Sequence, residues 1–205
     1  MIAIVDYGAG NLNSVKNALD FIGADSIVTT DVKVIESAHG VILPGVGSFG
    51  DAMNSMKASG LVETVQAAST SGKPFLGICL GLQLLFEGSE ESPEAEGLCV
   101  LKGKILKIPD VDLKVPHMGW NSLEIKSFEG IFKNIPQNAY VYFVHSYYLA
   151  AANEAEVAAK TFYGVSIDAA VSAGKLFGMQ FHPEKSGDAG IQMLRNFVAM
   201  CGGNI

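Results

Sequence analysis

Three side chains in this sequence have the types and spacing for covalent catalysis: Cys79, His182 and Glu184. Cys79 stands in Gly77-Ile78-Cys79-Leu80-Gly81, after an apolar run and before a helical pattern. A nucleophile with glycine two residues to either side, between strand and helix, is the cysteine form of a nucleophile elbow. The turn is too tight for side chains at those flanking positions, and it points the sulfur out at the carboxyl edge of the sheet, where open α/β sheets bind ligands. A helix N-terminus beneath the thiol favours the thiolate, and the backbone N–H of Leu80 can receive an oxyanion. The competing reading is a core cysteine in a glycine-tolerant turn.

A thiolate nucleophile needs a base, and the chain has His39, His117, His145 and His182. His182 lies in Gln180-Phe181-His182-Pro183-Glu184, at the end of a predicted strand. Alternate side chains of an extended segment share a face, so Glu184 can lie beside His182. A carboxylate there holds the imidazole tautomer while the other ring nitrogen exchanges a proton with sulfur. Taken alone, a histidine in such a motif is more often structural; the elbow makes it the favoured base. Pro44-Gly45-Val46-Gly47-Ser48-Phe49 supplies two glycines that permit positive φ and a close backbone approach, so peptide N–H groups there can face an oxyanion. An ordinary Pro-Gly turn is the alternative.

These groups need a scaffold, and the first half of the chain alternates strand and helix signals. Ile2 to Asp6 is an apolar run closed by Tyr7-Gly8-Ala9-Gly10, and Leu12, Val15, Leu19 and Ile22 then line one helical face, stopped by Gly23. Ser26 to Thr30 and Gly40 to Leu43 read as strands, and helices follow near Ser48 to Met56 and over Leu61 to Ala68. Phe75 to Ile78 is a wholly apolar strand of the buried parallel type. The pattern implies right-handed crossovers and a mostly parallel sheet covered on both faces, an α/β class. From Leu98 to Val171 the chain turns β-rich, with Tyr140 to Tyr148 as the strongest strand. Leu176 to Phe181 is a further strand, and Ala189 to Met200 a closing amphipathic helix. The acidic stretch Gly88 to Gly97 reads as an exposed loop, and residues 1–205 as a single domain without repeats.

Composition narrows the partners. The 205 residues are 49% apolar with a formal net charge of −7, which leaves no electrostatic footprint for nucleic acid or an anionic membrane. No run approaches the ~20 apolar residues that span a bilayer. The start, MIAIVDYGAGNLN, reads as a core strand and not as a signal peptide, so a cytoplasmic protein is expected. Cys79, Cys99 and Cys201 form no CxxC and no metal cluster. Gly8-Ala9-Gly10 lacks the third glycine of a dinucleotide loop, because Asn13 stands there, so no nucleotide and no other cofactor is expected. Trp120, the only tryptophan, reads equally as a core residue or as an exposed interface anchor. His145 and Ser146, polar within an aromatic run, could border a pocket.

Together these motifs resemble the class I, triad-type glutamine amidotransferases, through GICLGLQ around Cys79 and FHPEKS around His182 and Glu184. DYGAGN, PGVGSFG, PHMGWN and YFVHSYY extend the likeness from Asp6 to Ser186 and make the chain similar to the glutaminase subunits of imidazole glycerol phosphate synthases. Leu82 stands where relatives often have Met, a volume-conserving exchange. The resemblance implies a flavodoxin-like sheet with extra strands in the second half. It implies hydrolysis of glutamine to glutamate and ammonia through a glutamyl thioester on Cys79, with His182 as proton shuttle and Glu184 as orienter. Leu80 and the Val46–Gly47 segment would form the oxyanion hole, and Gln83, Gly47, Ser146 and Tyr147 would hold glutamine. A (βα)8-barrel cyclase partner is implied, receiving ammonia through a channel, with Asn11, Trp120, Tyr142 and Lys185 at the interface. The rival expectation is a stand-alone Cys-His-Glu hydrolase of peptides or γ-glutamyl compounds.

Overall fold

Ile2–Val5 form the first strand, β1, and its alternation sets the architecture: Ile2 and Ile4 enter one apolar cluster, Ala3 and Val5 a second. A strand buried along its whole length needs cover on both faces of its sheet. The computed structural model describes residues 1–110 and 113–203. After β1 come α1 (Leu12–Phe21), β2 (Ser26–Thr29), α2 (Val32–Ser37), β3 (Gly40–Gly45), α3 (Phe49–Ala58), α4 (Val62–Thr70) and β4 (Phe75–Cys79). The single-turn helix α5 (Leu80–Gln83) follows at once. The second half adds β5 (Gly88–Ser89), β6 (Ser92–Glu96), β7 (Gly103–Lys107), β8 (His117–Ser122), β9 (Glu124–Ile125) and β10 (Tyr140–His145). It ends with β11 (Tyr147–Ala151), β12 (Val157–Tyr163), β13 (Val165–Ala173), β14 (Leu176–Met179) and α6 (Gly187–Met200).

The main sheet has the order β2-β1-β3-β4-β14-β13-β12-β9. Its first five strands run parallel and the remaining three continue antiparallel. Residues of α1 and α6 pack into one cluster, those of α3 and α4 into the other, so helices cover both faces. β10 pairs with β8 in a ribbon, and β11, β7, β5 and β6 make a four-stranded sheet. The consequence for the site is a matter of register. β14 comes from late in the chain yet lies beside β4, with Met179 opposite Ile78, so the residues after both strands emerge together at the carboxyl edge. Gly45, at the end of β3, lies opposite Cys79 from the other side.

Several sequence expectations need correction. The acidic stretch is not a loop: β5 and β6 form a hairpin against α3, with Ser89 and Ser92 buried. The Phe49 N–H donates to the Glu91 carboxylate at 2.8 Å and the Gly50 N–H to Ser92 Oγ at 3.1 Å. These satisfy two of the helix's first donors, which have no partner within the helix, and place negative charge at its positive end. Tyr140 to Tyr148 is not one strand. The chain changes sheets at Ser146, whose carbonyl accepts the Ile108 N–H at 2.9 Å. β3 runs on through Pro44 and Gly45, and β14 stops at Met179, before Phe181. Between β2 and β3, where the sequence reading has no element, stands the short helix α2, capped by Asp31 on the Lys33 N–H. Residues 111 and 112 of the expected β-rich stretch lie outside the described residues. Among the described residues no helix is long and apolar enough to cross a membrane.

Candidate active site

The elbow is a real strained turn. Cys79 has φ 55° and ψ −113°, a conformation L-residues rarely adopt, held because the backbone around it is over-determined. A Cβ on Gly77 would come within 2.7 Å of the Gly81 carbonyl oxygen, and one on Gly81 would lie 1.9 Å from that of Leu43. One on Gly45 would lie 2.7 Å from the Gly81 nitrogen. All three glycines are therefore needed for close approach, and of the Pro44–Phe49 pair only Gly47 uses positive φ, at 99°. The Tyr7 hydroxyl donates to the Pro44 carbonyl at 3.1 Å and so pins the end of β3. Burial and the nearby Cys79 sulfur push the Tyr7 hydroxyl above its usual range, so it remains a donor. The helix after Cys79 is shorter than the sequence pattern implied, one turn only, but Leu80 still opens it and its N–H has no intrahelical partner.

His182 Nδ1 lies 2.8 Å from Glu184 Oε1, with the two side chains only 3% and 1% exposed. The expected extended geometry is not what brings them together. Pro183–Lys185 form a 3-10 turn, and His182, at its start, points its ring back at the carboxylate. His182 Nε2 is buried with no hydrogen-bond partner within the usual limits among the described residues. Burial is the largest influence on the ring and opposes charge. The nearby Cys79 sulfur and the Glu184 carboxylate together outweigh it and push the imidazole up to about 9. A ring that stays protonated at neutral pH and faces a sulfur balances the charge of a thiolate.

Cys79, Leu80, Gln83, Val46, Gly47 and His182 line one cavity of about 380 Å³, together with Ser146, Tyr147 and His145. Every residue expected to carry chemistry or to hold substrate is thus at this cavity, except Glu184, which sits behind His182. Gln83 differs in detail from the expectation. Both its amide hydrogens are taken, by the Tyr147 carbonyl at 3.1 Å and by Gln180 Oε1 at 2.9 Å, which leaves Oε1 to face a ligand. His145 Nδ1 also donates to the Tyr147 carbonyl, at 2.9 Å, and its Nε2 meets His117 Nδ1 at 3.0 Å. Burial drives both rings down, His117 to about 4 and His145 to about 3, so they are neutral members of a hydrogen-bond relay.

Two residues beside the reacting groups escape the sequence reading, one lining the cavity and one buried beneath it. Glu91 lines the cavity with one oxygen held by the Phe49 N–H. As one carboxylate in an acidic run it carried no distinguishing signal. Gln180 is wholly buried, and its Nε2 lies 3.8 Å from the Cys79 sulfur. Strand alternation could have found it, because it stands two residues before His182. On the outer face, Trp120 is 55% exposed and packs edge-on against Tyr142, with ring centroids 6.1 Å apart. Lys185 Nζ lies 5.9 Å above the Tyr142 ring. Trp120 is therefore not in the core. Asn11, half-buried at the start of α1, follows a parallel strand and so shares the carboxyl edge, but makes no aromatic contact with the other three.

Comparisons with known proteins bear on the family and the fold. The family model for class-I glutamine amidotransferases matches residues 3–201. The chain is 50% identical over 198 residues to the imidazole glycerol phosphate synthase subunit HisH of Methanothermobacter thermautotrophicus, covering 97% of this chain and 98% of that one. It is 48% identical over 200 residues to the subunit of the same name from Oceanobacillus iheyensis, covering 98% and 99%. A crystal structure of a glutamine amidotransferase superposes with a TM-score of 0.77 at 20% identity, over 99% of this chain and all of the other. PurLQS from Thermotoga maritima gives a TM-score of 0.73 at 20% identity, over 97% of each chain. At such identity the solved structures speak to the fold alone.

Proposed function

The chain belongs to the class-I glutamine amidotransferases and, among them, to the HisH subunits of imidazole glycerol phosphate synthase, and from that premise we propose how its residues carry the reaction. It hydrolyses glutamine and feeds the ammonia to the cyclase subunit of the synthase, in histidine biosynthesis. The observation that carries the assignment of roles is the convergence of Cys79 and His182 on one cavity with Glu184 held 2.8 Å behind the imidazole.

The Cys79 thiolate attacks the side-chain amide carbon of glutamine. The oxyanion that forms is received by the Leu80 N–H and by the Val46–Gly47 backbone. The His182 imidazolium gives its proton to the departing nitrogen, the C–N bond breaks, and ammonia leaves a glutamyl thioester. His182, now neutral, takes a proton from water, whose oxygen attacks the thioester, so that glutamate departs and the thiolate returns. Glu184 holds the ring through Nδ1 and supports its charge in both halves of the cycle. Glu91 supplies a carboxylate suited to the α-ammonium of glutamine, and the Ser146–Tyr147 backbone with Gln83 Oε1 surrounds the rest.

The partner is a (βα)8-barrel cyclase docked on the face that carries Trp120, Tyr142 and Lys185, with Asn11 on the same edge. It combines the ammonia with its ribonucleotide substrate, which is cleaved to imidazole glycerol phosphate and aminoimidazole carboxamide ribotide. An exposed tryptophan packed edge-on against a tyrosine, with a lysine over that tyrosine ring, has the composition of an interface anchor. Glutaminase turnover by this chain alone, then with the cyclase and its ribonucleotide ligand, tests the reading. Turnover should depend on the partner and be lost in Cys79→Ala, while that variant's complex still makes product from free ammonia. Substantial partner-independent turnover would favour a stand-alone hydrolase, and glutamine hydrolysis by Cys79→Ala would remove the nucleophile.

A further inference from the structure

Among the described residues, Gln180 is a polar side chain with no exposure at all, and no step of the reaction above uses it. We propose that Gln180 is a positioning residue for the nucleophile: its side-chain amide donates to the Cys79 sulfur, aiming it at the substrate cavity and stabilising it as the thiolate. The inference rests on the reading of Cys79 as nucleophile.

The fold brings the two together by register. Met179 pairs with Ile78 across β14 and β4, so the residues that follow them in the chain, Gln180 and Cys79, meet where the strands end. Nε2 lies 3.8 Å from Sγ, within reach of a hydrogen bond to sulfur. Which end of the amide faces the sulfur is decided by its neighbours. The Tyr147 carbonyl can only accept, and it takes one hydrogen of Gln83 Nε2 at 3.1 Å. The second hydrogen of the same group goes to Gln180 at 2.9 Å, so the oxygen of Gln180 must face Gln83 and its NH2 must face Cys79. A chain of bonds anchored on a backbone oxygen therefore presents a donor, not an acceptor, to the sulfur. That donor is worth little to a neutral thiol and more to a thiolate, where the bond is charge-assisted. His182 approaches the sulfur through a different segment, the turn after β14, so the thiolate is met by a fixed dipole as well as by a mobile proton.

The bland alternative is that Gln180 merely braces Gln83. The two roles separate in the kinetics, because Gln83 faces the substrate and Gln180 faces the sulfur. Gln180→Glu keeps the size and can still accept from Gln83, but puts oxygen in place of the donor; Gln180→Leu removes both contacts. In the complex with the cyclase, both variants should lower kcat for glutamine about tenfold, equivalent to about 1.4 kcal/mol, with KM within about threefold. Alkylation of Cys79 by iodoacetamide at neutral pH should slow to a similar extent, and synthesis from free ammonia should be unchanged. A raised KM with unaltered kcat, or an unaltered alkylation rate, would overturn the inference. If neither variant folds, the native chain serves: with 15N-labelled glutamine, the Gln180 side-chain amide protons should move upfield in Cys79→Ala, and no movement overturns it. Retained turnover in Cys79→Ala would instead strike the nucleophile assignment itself, whereas an essential Cys79 with indifferent Gln180 variants strikes this inference alone.

Discussion

Replacing Glu184 with glutamine removes one charge from a buried site while keeping its shape. The carboxylate is 2.8 Å from His182 Nδ1, and its second oxygen is buried without a partner among the described residues, so the imidazole is its main compensation. Burial, the largest influence on His182, opposes charge, and Cys79 and Glu184 together reverse it to about 9. Losing a hydrogen bond to a charged group costs roughly 1.5–3 kcal/mol, which at 1.36 kcal/mol per unit brings the ring down by about one to two pH units. The same loss, expressed in the step that protonates departing ammonia, lowers kcat roughly ten- to a hundredfold. The assay is glutaminase kcat against pH in the complex with the cyclase, alongside the His182 ring-proton shifts by NMR. Stability provides a second reading. A histidine raised in the folded state stabilises fully below its unfolded value of about 6.5. That contribution disappears as pH rises through about 9 in the native chain, and should disappear at lower pH in the variant. A kcat within twofold of native together with an unmoved His182 titration would refute Glu184 as the orienter.

The remaining expectations concern the turn and the cavity. Gly81→Ala places a Cβ 1.9 Å from the Leu43 carbonyl oxygen, a clash with strand backbone and not with a flexible side chain, and should cost more than about 3 kcal/mol in urea unfolding, if the chain folds at all. Gly60→Ala, at φ 71° with nothing within 4 Å, should cost only about 1–2 kcal/mol, which separates crowding from backbone conformation. Glu91→Gln can still accept the Phe49 N–H but loses the charge facing the cavity. It should raise KM for glutamine about ten- to a hundredfold with kcat changed much less, measured by steady-state kinetics.

How much of this was legible beforehand depends on the range of the interaction involved. The flanking glycines of Cys79, the period of α1 and the apolar strand before the elbow are local features, governed by sterics over a few residues, and the sequence displayed them directly. His182 and Glu184 were also recognisable as a pair because two residues of spacing keep them neighbours in either a strand or a tight turn, although the turn was the one adopted. The split of Tyr140–Tyr148 at Ser146 was hidden, since a continuous aromatic alternation reads the same whether it pairs with one strand or with two. Glu91 was hidden for another reason. Its orientation comes from the α3 N-terminus, a partner 42 residues away that no local pattern announces.

From the sequence alone came the proposed nucleophile, base and orienter and an α/β scaffold, because those depend on residue type and near spacing. Tertiary structure alone decided which distant groups meet them. The pairing of β14 with β4 sets Gln180 against the Cys79 sulfur, and β3 on the other side brings Gly45 and Val46 to the same edge. Cys79, distinguished at first by two glycines, thus gains its full surroundings only when strands from separate parts of the chain fall into register, since hydrogen-bonded pairing is what converts sequence distance into contact.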